Sequence, residues 1–319
     1  MVGLFLAASL LTVWRLESMS SGGLEGTVLG TLVTPYITGM GNLIFAFVLA
    51  RKNGSATEVL TNCLVNNVTN MTLVLGLPAV IWNMNLFSAK KTGAGKKSAK
   101  AKGSAQVQQV NRLSLLLTLT AVLFFTGMTW AVGSDGQITF IDGLVLVGLF
   151  LFWQCFHVFE VLKTNARQNR GFDWMLPFDL ALLALGGYAI YLSTDWLVAW
   201  ISNIHTGFIS VKYIGWLSGW LMVLPNALLA IYYGWTKRPE VVYTSQVGDN
   251  HICIPLCIGI FALFKTITVP AFFKPGVFIL LGATLLHFLF IAAFGRLPRV
   301  AGFLLIAAYG YFLYAGLLQ

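Results

Sequence analysis

The chain has 319 residues, 57% of them apolar and only 10% charged, and its mean hydropathy is +0.79. So few charged side chains cannot cover a water-soluble domain of this length, which excludes an ordinary soluble enzyme or binding module. The formal net charge of +9 is a loop property set between apolar runs, so no nucleic-acid partner is expected.

Apolar runs close to the ~20 residues needed to cross ~30 Å of hydrocarbon recur along the chain. They predict ten transmembrane helices, at 2–20, 24–50, 57–82, 113–133, 138–162, 175–203, 209–234, 248–268, 274–295 and 299–318. The start, Met1-Val2-Gly3-Leu4-Phe5, has no basic leader and no evident cleavage site, so it is read as part of the first span. Residues 1–82 begin a first half whose polar core is 24–82. Residues 83–111, rich in Gly, Ser, Ala and Lys, are expected to be a basic, flexible cytoplasmic linker without regular structure. The remaining helices of that half fall in 112–162, a short cytoplasmic loop in 163–174, and the second half in 175–319, with its polar core at 208–268.

Orientation follows from lysine and arginine, which favour the cytoplasmic side. With both termini outside, Arg15, Arg112, Lys163, Arg167, Arg170, Lys237, Arg238, Arg296, Arg299 and the lysines of 83–111 all lie inside. Only Arg51, Lys52, Lys212, Lys265 and Lys274 then lie outside. The reading is a multi-pass protein of the cell (inner) membrane, with the lipid bilayer as its first partner and its oligomeric state open. Cys63, Cys155, Cys253 and Cys257 fall in apolar spans, with no CxxC pair and no histidine at ligand spacing. They are read as buried small apolar residues, and no cofactor is expected.

Polar side chains inside the spans carry the functional argument, because hydrocarbon tolerates them only toward a bundle interior or a wet path. Thr34-Pro35-Tyr36 is followed, one apolar helix later, by Asn62, Asn66, Asn67, Thr69 and Asn70. Asn62, Asn66, Thr69 and Asn70 share one helical face. The second half repeats the arrangement: Leu224-Pro225-Asn226, then Ser245, Gln246, Asp249 and Asn250. Each proline is expected to interrupt its helix and free carbonyls in mid-membrane. The tryptophans Trp174, Trp196, Trp200, Trp216 and Trp220 are expected at interface belts or against lipid.

The two stretches resemble the α-repeats of the calcium:cation antiporter superfamily, which includes the sodium/calcium exchangers. Those repeats carry a G-T-S-L-P-E turn on one helix and G-N-x-x-G-S-N-x-x-[ND], then L-V-L-G, on the next. Pro35 and Pro225 match the turn proline; Asn62, Asn67 and Asn70 match the first-half run, which Leu73-Val74-Leu75-Gly76 completes; Asn250 matches in the second half. The resemblance implies an all-α integral membrane fold of two inverted five-helix repeats and cation antiport by alternating access. This chain departs from the pattern by carrying Tyr36 and Asn226 in place of the ion-binding glutamates, Asn66 and Asp249 in place of serines, and Cys253 in place of the terminal acid.

The candidate cation path is therefore Asn66, Asn70, Asn226 and Asp249, with Thr34, Tyr36, Asn62, Asn67, Ser245 and Asn250 nearby. Calcium takes six to eight oxygens, and its affinity follows ligand charge. A set with one carboxylate suits a monovalent ion better. Sodium, calcium, potassium and the proton all remain open as the transported cation. The alternative function is a transport-inactive, exchanger-like membrane scaffold or subunit.

Overall fold

The computed structural model describes residues 1–21, 39–82, 84–86, 99–165 and 176–318, with side chains described for 1–15, 39–82, 84–86, 112–156 and 177–318. Helices dominate because a backbone in hydrocarbon must bond to itself, and a helix does so within one segment. In chain order they are α1 (Val2–Ser21), α2 (Met40–Arg51), α3 (Ala56–Thr69), α4 (Leu75–Trp82), α5 (Ala99–Val132), α6 (Phe140–Asn165) and α7 (Leu176–Ser202). They continue as α8 (Ile214–Trp235), α9 (Pro239–Ile252), α10 (Ile258–Ala262), α11 (Phe273–Phe294) and α12 (Arg299–Leu313). Among the described residues, six helical stretches are long and apolar enough to cross a bilayer, the first being 56–82 and the last 299–318.

Two central rods are built in two pieces, and α12 likewise passes into a terminal π turn, Tyr314–Leu318. A π turn, Asn70–Val74, joins α3 to α4, and a second, Cys253–Cys257, joins α9 to α10. Two short ribbons tie loops together. Strand β1 (Met84–Asn85) pairs antiparallel with β4 (Arg296–Leu297), and β2 (Gln137–Ile138) pairs with β3 (Ile267–Thr268). Helix α3 packs on α8 and α11, α4 on α12, α9 on α5 and α8, α10 on α6, and α1 and α2 on α7. The pieces α3, α4, α9 and α10 thus lie at the centre, where almost every side chain of 56–76 and 246–259 is buried.

Several expectations need correction. Residues 99–111 are helical, extending α5 backward; Ala99, Ala101, Lys100, Lys102 and the glutamines of this stretch are strong helix formers. Residues 87–98 of the expected linker, and Thr34, Pro35 and Tyr36, lie outside the described residues. The eighth span starts at Pro239, well before 248, because Pro239 supplies a pre-set first turn. Pro225 does not break α8, which runs unbroken from Ile214 to Trp235. Trp216 is not at a belt: it is buried against Phe272 and Phe312.

Candidate functional site

The site begins with the close approach of α8 to α3. A Cβ at Gly215 would stand 2.7 Å from the Glu58 carbonyl oxygen, and one at Gly219 would stand 2.7 Å from Val65 Cβ. Small residues four apart let two helix backbones meet in a membrane. At the top of the contact, a Glu58 carboxylate oxygen accepts the Gly215 N–H at 2.8 Å, satisfying one of the free donors at the start of α8. One turn further along, Asn62 Nδ2 donates to Ser218 Oγ at 3.0 Å.

Two turns below, the polar residues converge on one atom. Asp249 Oδ2 accepts Asn70 Nδ2 at 2.9 Å, Asn66 Nδ2 at 3.0 Å and Asn226 Nδ2 at 3.3 Å. Three elements supply these donors: α3, the first π turn and α8. Asp249 is 1% exposed and Asn66 and Asn70 are fully buried. An ionised carboxylate only accepts, so each amide must turn its nitrogen toward Asp249 and its oxygen away. For Asn66 and Asn70 the consequence is visible in the hydrogen bonding, and other amides nearby share it for reasons of their own. Asn62, Asn66, Asn70 and Asn250 Oδ1, Gln246 Oε1 and Asp249 Oδ1 are buried acceptors without a hydrogen-bond partner. A buried acceptor left unpaired costs about 1–3 kcal/mol. A cluster of oxygens and one negative charge is the donor set that hard cations take.

The π turns explain how the backbone here is held. Pro255, inside the second π turn, has no N–H to give, and five residues before it is Asn250. The Asn250 carbonyl instead accepts Asn67 Nδ2 at 3.1 Å. In the first π turn the Met71 carbonyl bonds His287 Nε2 at 2.8 Å, and His287 Nδ1 bonds the Tyr243 hydroxyl at 3.0 Å. A carbonyl only accepts, so Nε2 carries the proton, Nδ1 accepts, and Tyr243 donates. The Asn226 carbonyl takes Gln246 Nε2 at 3.2 Å.

Comparison with known proteins bears on what this geometry is for. The family model described as "Sodium/calcium exchanger protein" matches residues 1–159 and 178–318. This chain belongs to that family. It is an integral membrane protein of a cation-antiporter family, and not of an enzyme family. Its fold is that of the sodium-calcium exchanger NCX_Mj. A crystal soaked with 2.5 mM Na+ and 10 mM Sr2+ matches with a TM-score of 0.68 at 19% identity, covering 98% of this chain and 95% of the other. A crystal soaked with 2.5 mM Na+ and 0.1 mM Ca2+ gives 0.66 at 20% identity, over 98% and 95%. A crystal soaked with zero Na+ and Ca2+ gives 0.62 at 20% identity, over 98% of each chain. No match was found among curated protein sequences.

Within this exchanger fold, the structure brings Asn66, Asn70, Asn226 and Asp249 into direct contact, with Asn67 joined to Asn66 at 3.2 Å. Asn62 is on the same face but bonds Ser218. Ser245 and Asn250 turn to their own helix, bonding Val242 and Gln246 carbonyls. A small cavity of about 20 Å³, room for roughly one water, is lined by Phe5, Ser9, Thr12, Gly41, Met222 and Asn226 among others and touches the cluster at Asn226 from the α1 side. Sequence reasoning passed over Gln246 as a site member and Asn42 altogether. Asn42 is buried in α2 with both amide atoms unpartnered. It is a single amide in an otherwise apolar helix, the very signal that identified the others. The convergence of Cys63, Cys253 and Cys257, whose sulfurs all lie within 4.8 Å of one another, had no sequence signal, since the spacing from 63 to 253 carries no motif.

Proposed function

We propose that this chain is a cation antiporter working by alternating access, with its ion site formed by Asp249, Asn66, Asn70 and Asn226, and with selectivity moved from calcium toward a monovalent cation. The observation that carries the reading is one buried carboxylate, Asp249, held by Asn66, Asn70 and Asn226, with the Oδ1 atoms of Asn66, Asn70 and Asp249 itself buried and unpartnered. Asp249 is the one acid of the cluster among the described residues; Asp179 and Asp195 are engaged with Arg15 and Lys52 at a distance from it. One negative charge matches one monovalent ion, whereas a divalent ion left half-neutralised in a low-dielectric site is disfavoured.

An architecture of ten spans in two inverted five-helix repeats accounts for the pairing pattern. The α4–α12 contact has its counterpart in α10–α6, and α3–α11 in α9–α5. Each π turn opens at the last position of the polar run, Asn70 in one half and Cys253 in the other. The ribbon β1–β4 then lies on the inner side and β2–β3 on the outer, as the lysine and arginine distribution requires. Thr34 and Tyr36 complete this picture on the sequence side.

A second reading is favoured by a different observation: Asp249 Oδ2 is already bonded by three amides, a self-satisfied network that a transport-inactive scaffold would keep. Flux in proteoliposomes decides between them, with sodium, potassium, calcium and protons varied in turn. The proposal expects gradient-driven monovalent exchange that Asp249→Asn abolishes. No flux of any ion favours the scaffold, and calcium flux that survives Asp249→Asn places the site elsewhere.

A further inference from the structure

Asp249 lies in the last turn of α9, and Cys253 and Cys257 are the first and last residues of the π turn that follows it. Opposite them, on α3, Cys63 lies one turn from Asn66 and Asn67. The Sγ atoms of Cys63, Cys253 and Cys257 all lie within 4.8 Å of one another, and all three residues are at most 1% exposed. None is in a disulfide, and Cys155, the remaining cysteine, is exposed. We infer that these three thiols form a binding site for a soft, thiophilic divalent cation of the Zn2+ or Cd2+ kind, next to the oxygen cluster and distinct from it in chemistry.

The geometry fits such an ion with little movement. Three sulfurs each about 2.3 Å from a common centre stand roughly 4 Å apart, so closing from 4.8 Å needs a shift of less than about an ångström per thiol. The sulfurs come from two rods whose backbones the π turn and the α3–α9 packing already fix, so the ligands are largely pre-oriented. Softness selects the ion: thiolates favour d10 cations over the sodium, potassium and calcium that oxygens take. Charge selects its valence. A dication bound by two thiolates and one thiol is neutral as a unit, which a buried site favours; the two displaced protons leave to solvent. Three sulfurs leave a fourth position open, as in sites that exchange a ligand.

This inference stands apart from the transport reading, because equilibrium binding to the purified protein requires no flux. The test is titration of detergent-solubilised, reduced full-length protein with Cd2+, followed by thiolate-to-metal charge-transfer absorbance. We expect one Cd2+ per chain, with the band unchanged in Cys155→Ser. Cys63→Ser and the double change Cys253→Ser with Cys257→Ser should each lower affinity by more than the roughly 10–100-fold that losing an outer-shell partner costs. Cadmium-edge X-ray absorption on the wild-type protein keeps the question answerable should a serine variant fail to fold: a shell of sulfur neighbours is expected. A shell of oxygen and nitrogen only, no saturable binding to wild-type protein, or binding lost with Cys155→Ser would each overturn the assignment.

Discussion

At Asp249 three amide N–H groups meet one carboxylate oxygen, and the balance of costs there is unusual. Removing the side chain leaves three buried donors facing nothing, while removing only the charge leaves an oxygen for at least one of them. Each buried donor left unpaired costs about 1–3 kcal/mol, whereas a single neutral hydrogen bond is worth about 1 kcal/mol. Asp249→Ala is therefore expected to lower the thermal midpoint in detergent clearly more than Asp249→Asn. Equal effects would mean that the amides are not organised by this carboxylate. Asn226 offers the converse experiment. Its Nδ2 is 3.3 Å from Asp249 Oδ2, so Asn226→Glu puts a second carboxylate beside the first, a pair that is unfavourable without a cation between them. That variant should gain thermal stability on addition of calcium, since a ligand bound only by the native state stabilises it, and wild-type protein should gain little. A calcium-dependent shift of the same size in both would sink the charge argument.

The element that makes the cluster possible is α8, seated on α3 through Gly215 and Gly219. Any side chain there must push the helices apart, because the Glu58 carbonyl and the Val65 side chain stand 2.7 Å from where the Cβ would be. Overpacking of this kind costs about 1–3 kcal/mol. It would also draw Asn62 from Ser218 and Asn226 from Asp249. Gly215→Ala should thus reduce both thermal stability and ion binding. Gly282→Ala, with nothing within 4 Å of its Cβ position in α11, should be neutral or stabilising by up to about 1 kcal/mol from helix propensity. If the two substitutions behave alike, the close approach is not what holds the site together. The helices themselves were legible in the sequence because hydrocarbon demands long apolar runs, and the amides stood out against them. The π turns were not legible. They change which carbonyl meets which N–H without altering the apolar pattern, so Pro255 and His287 gave no sign of their part in the backbone. Pro225 misled for a related reason: its missing N–H is absorbed within α8, and the Gln246 side chain holds the next carbonyl. The pairing of Gly215 with Glu58 was likewise invisible, since it depends on which helix α8 meets.

At the scale of the molecule, α1 and α7 form a pair set against the central rods. Arg15 and Asp179 make a largely buried ion pair at 2.5 Å near one end, and Lys52, following α2, pairs with Asp195 of α7 at 3.0 Å near the other. In the proposed orientation these ends lie at the inner and outer faces, respectively. On that orientation, protease added to sealed right-side-out vesicles should leave the lysine-rich segment before α5 intact; cleavage there from outside would reverse the assignment. The proposed alternating access further requires that some body move past the small cleft beside Asn226. Helices α1 and α7 border that cleft through Phe5, Ser9, Thr12 and Ile190, while α3 and α9 hold the cluster. The expected motion is therefore α1 and α7 sliding together over a fixed centre. A Cβ at Gly186 of α7 would lie 3.7 Å from Thr12 Cβ of α1, inside the about 3.5–4.5 Å range of a disulfide. In a protein with Thr12→Cys and Gly186→Cys, oxidation should form the bond, seen as a loss of free thiols, and exchange in proteoliposomes should persist. Flux that stops on oxidation and returns on reduction would show that α1 and α7 must move relative to each other, and that the moving body has been drawn wrongly.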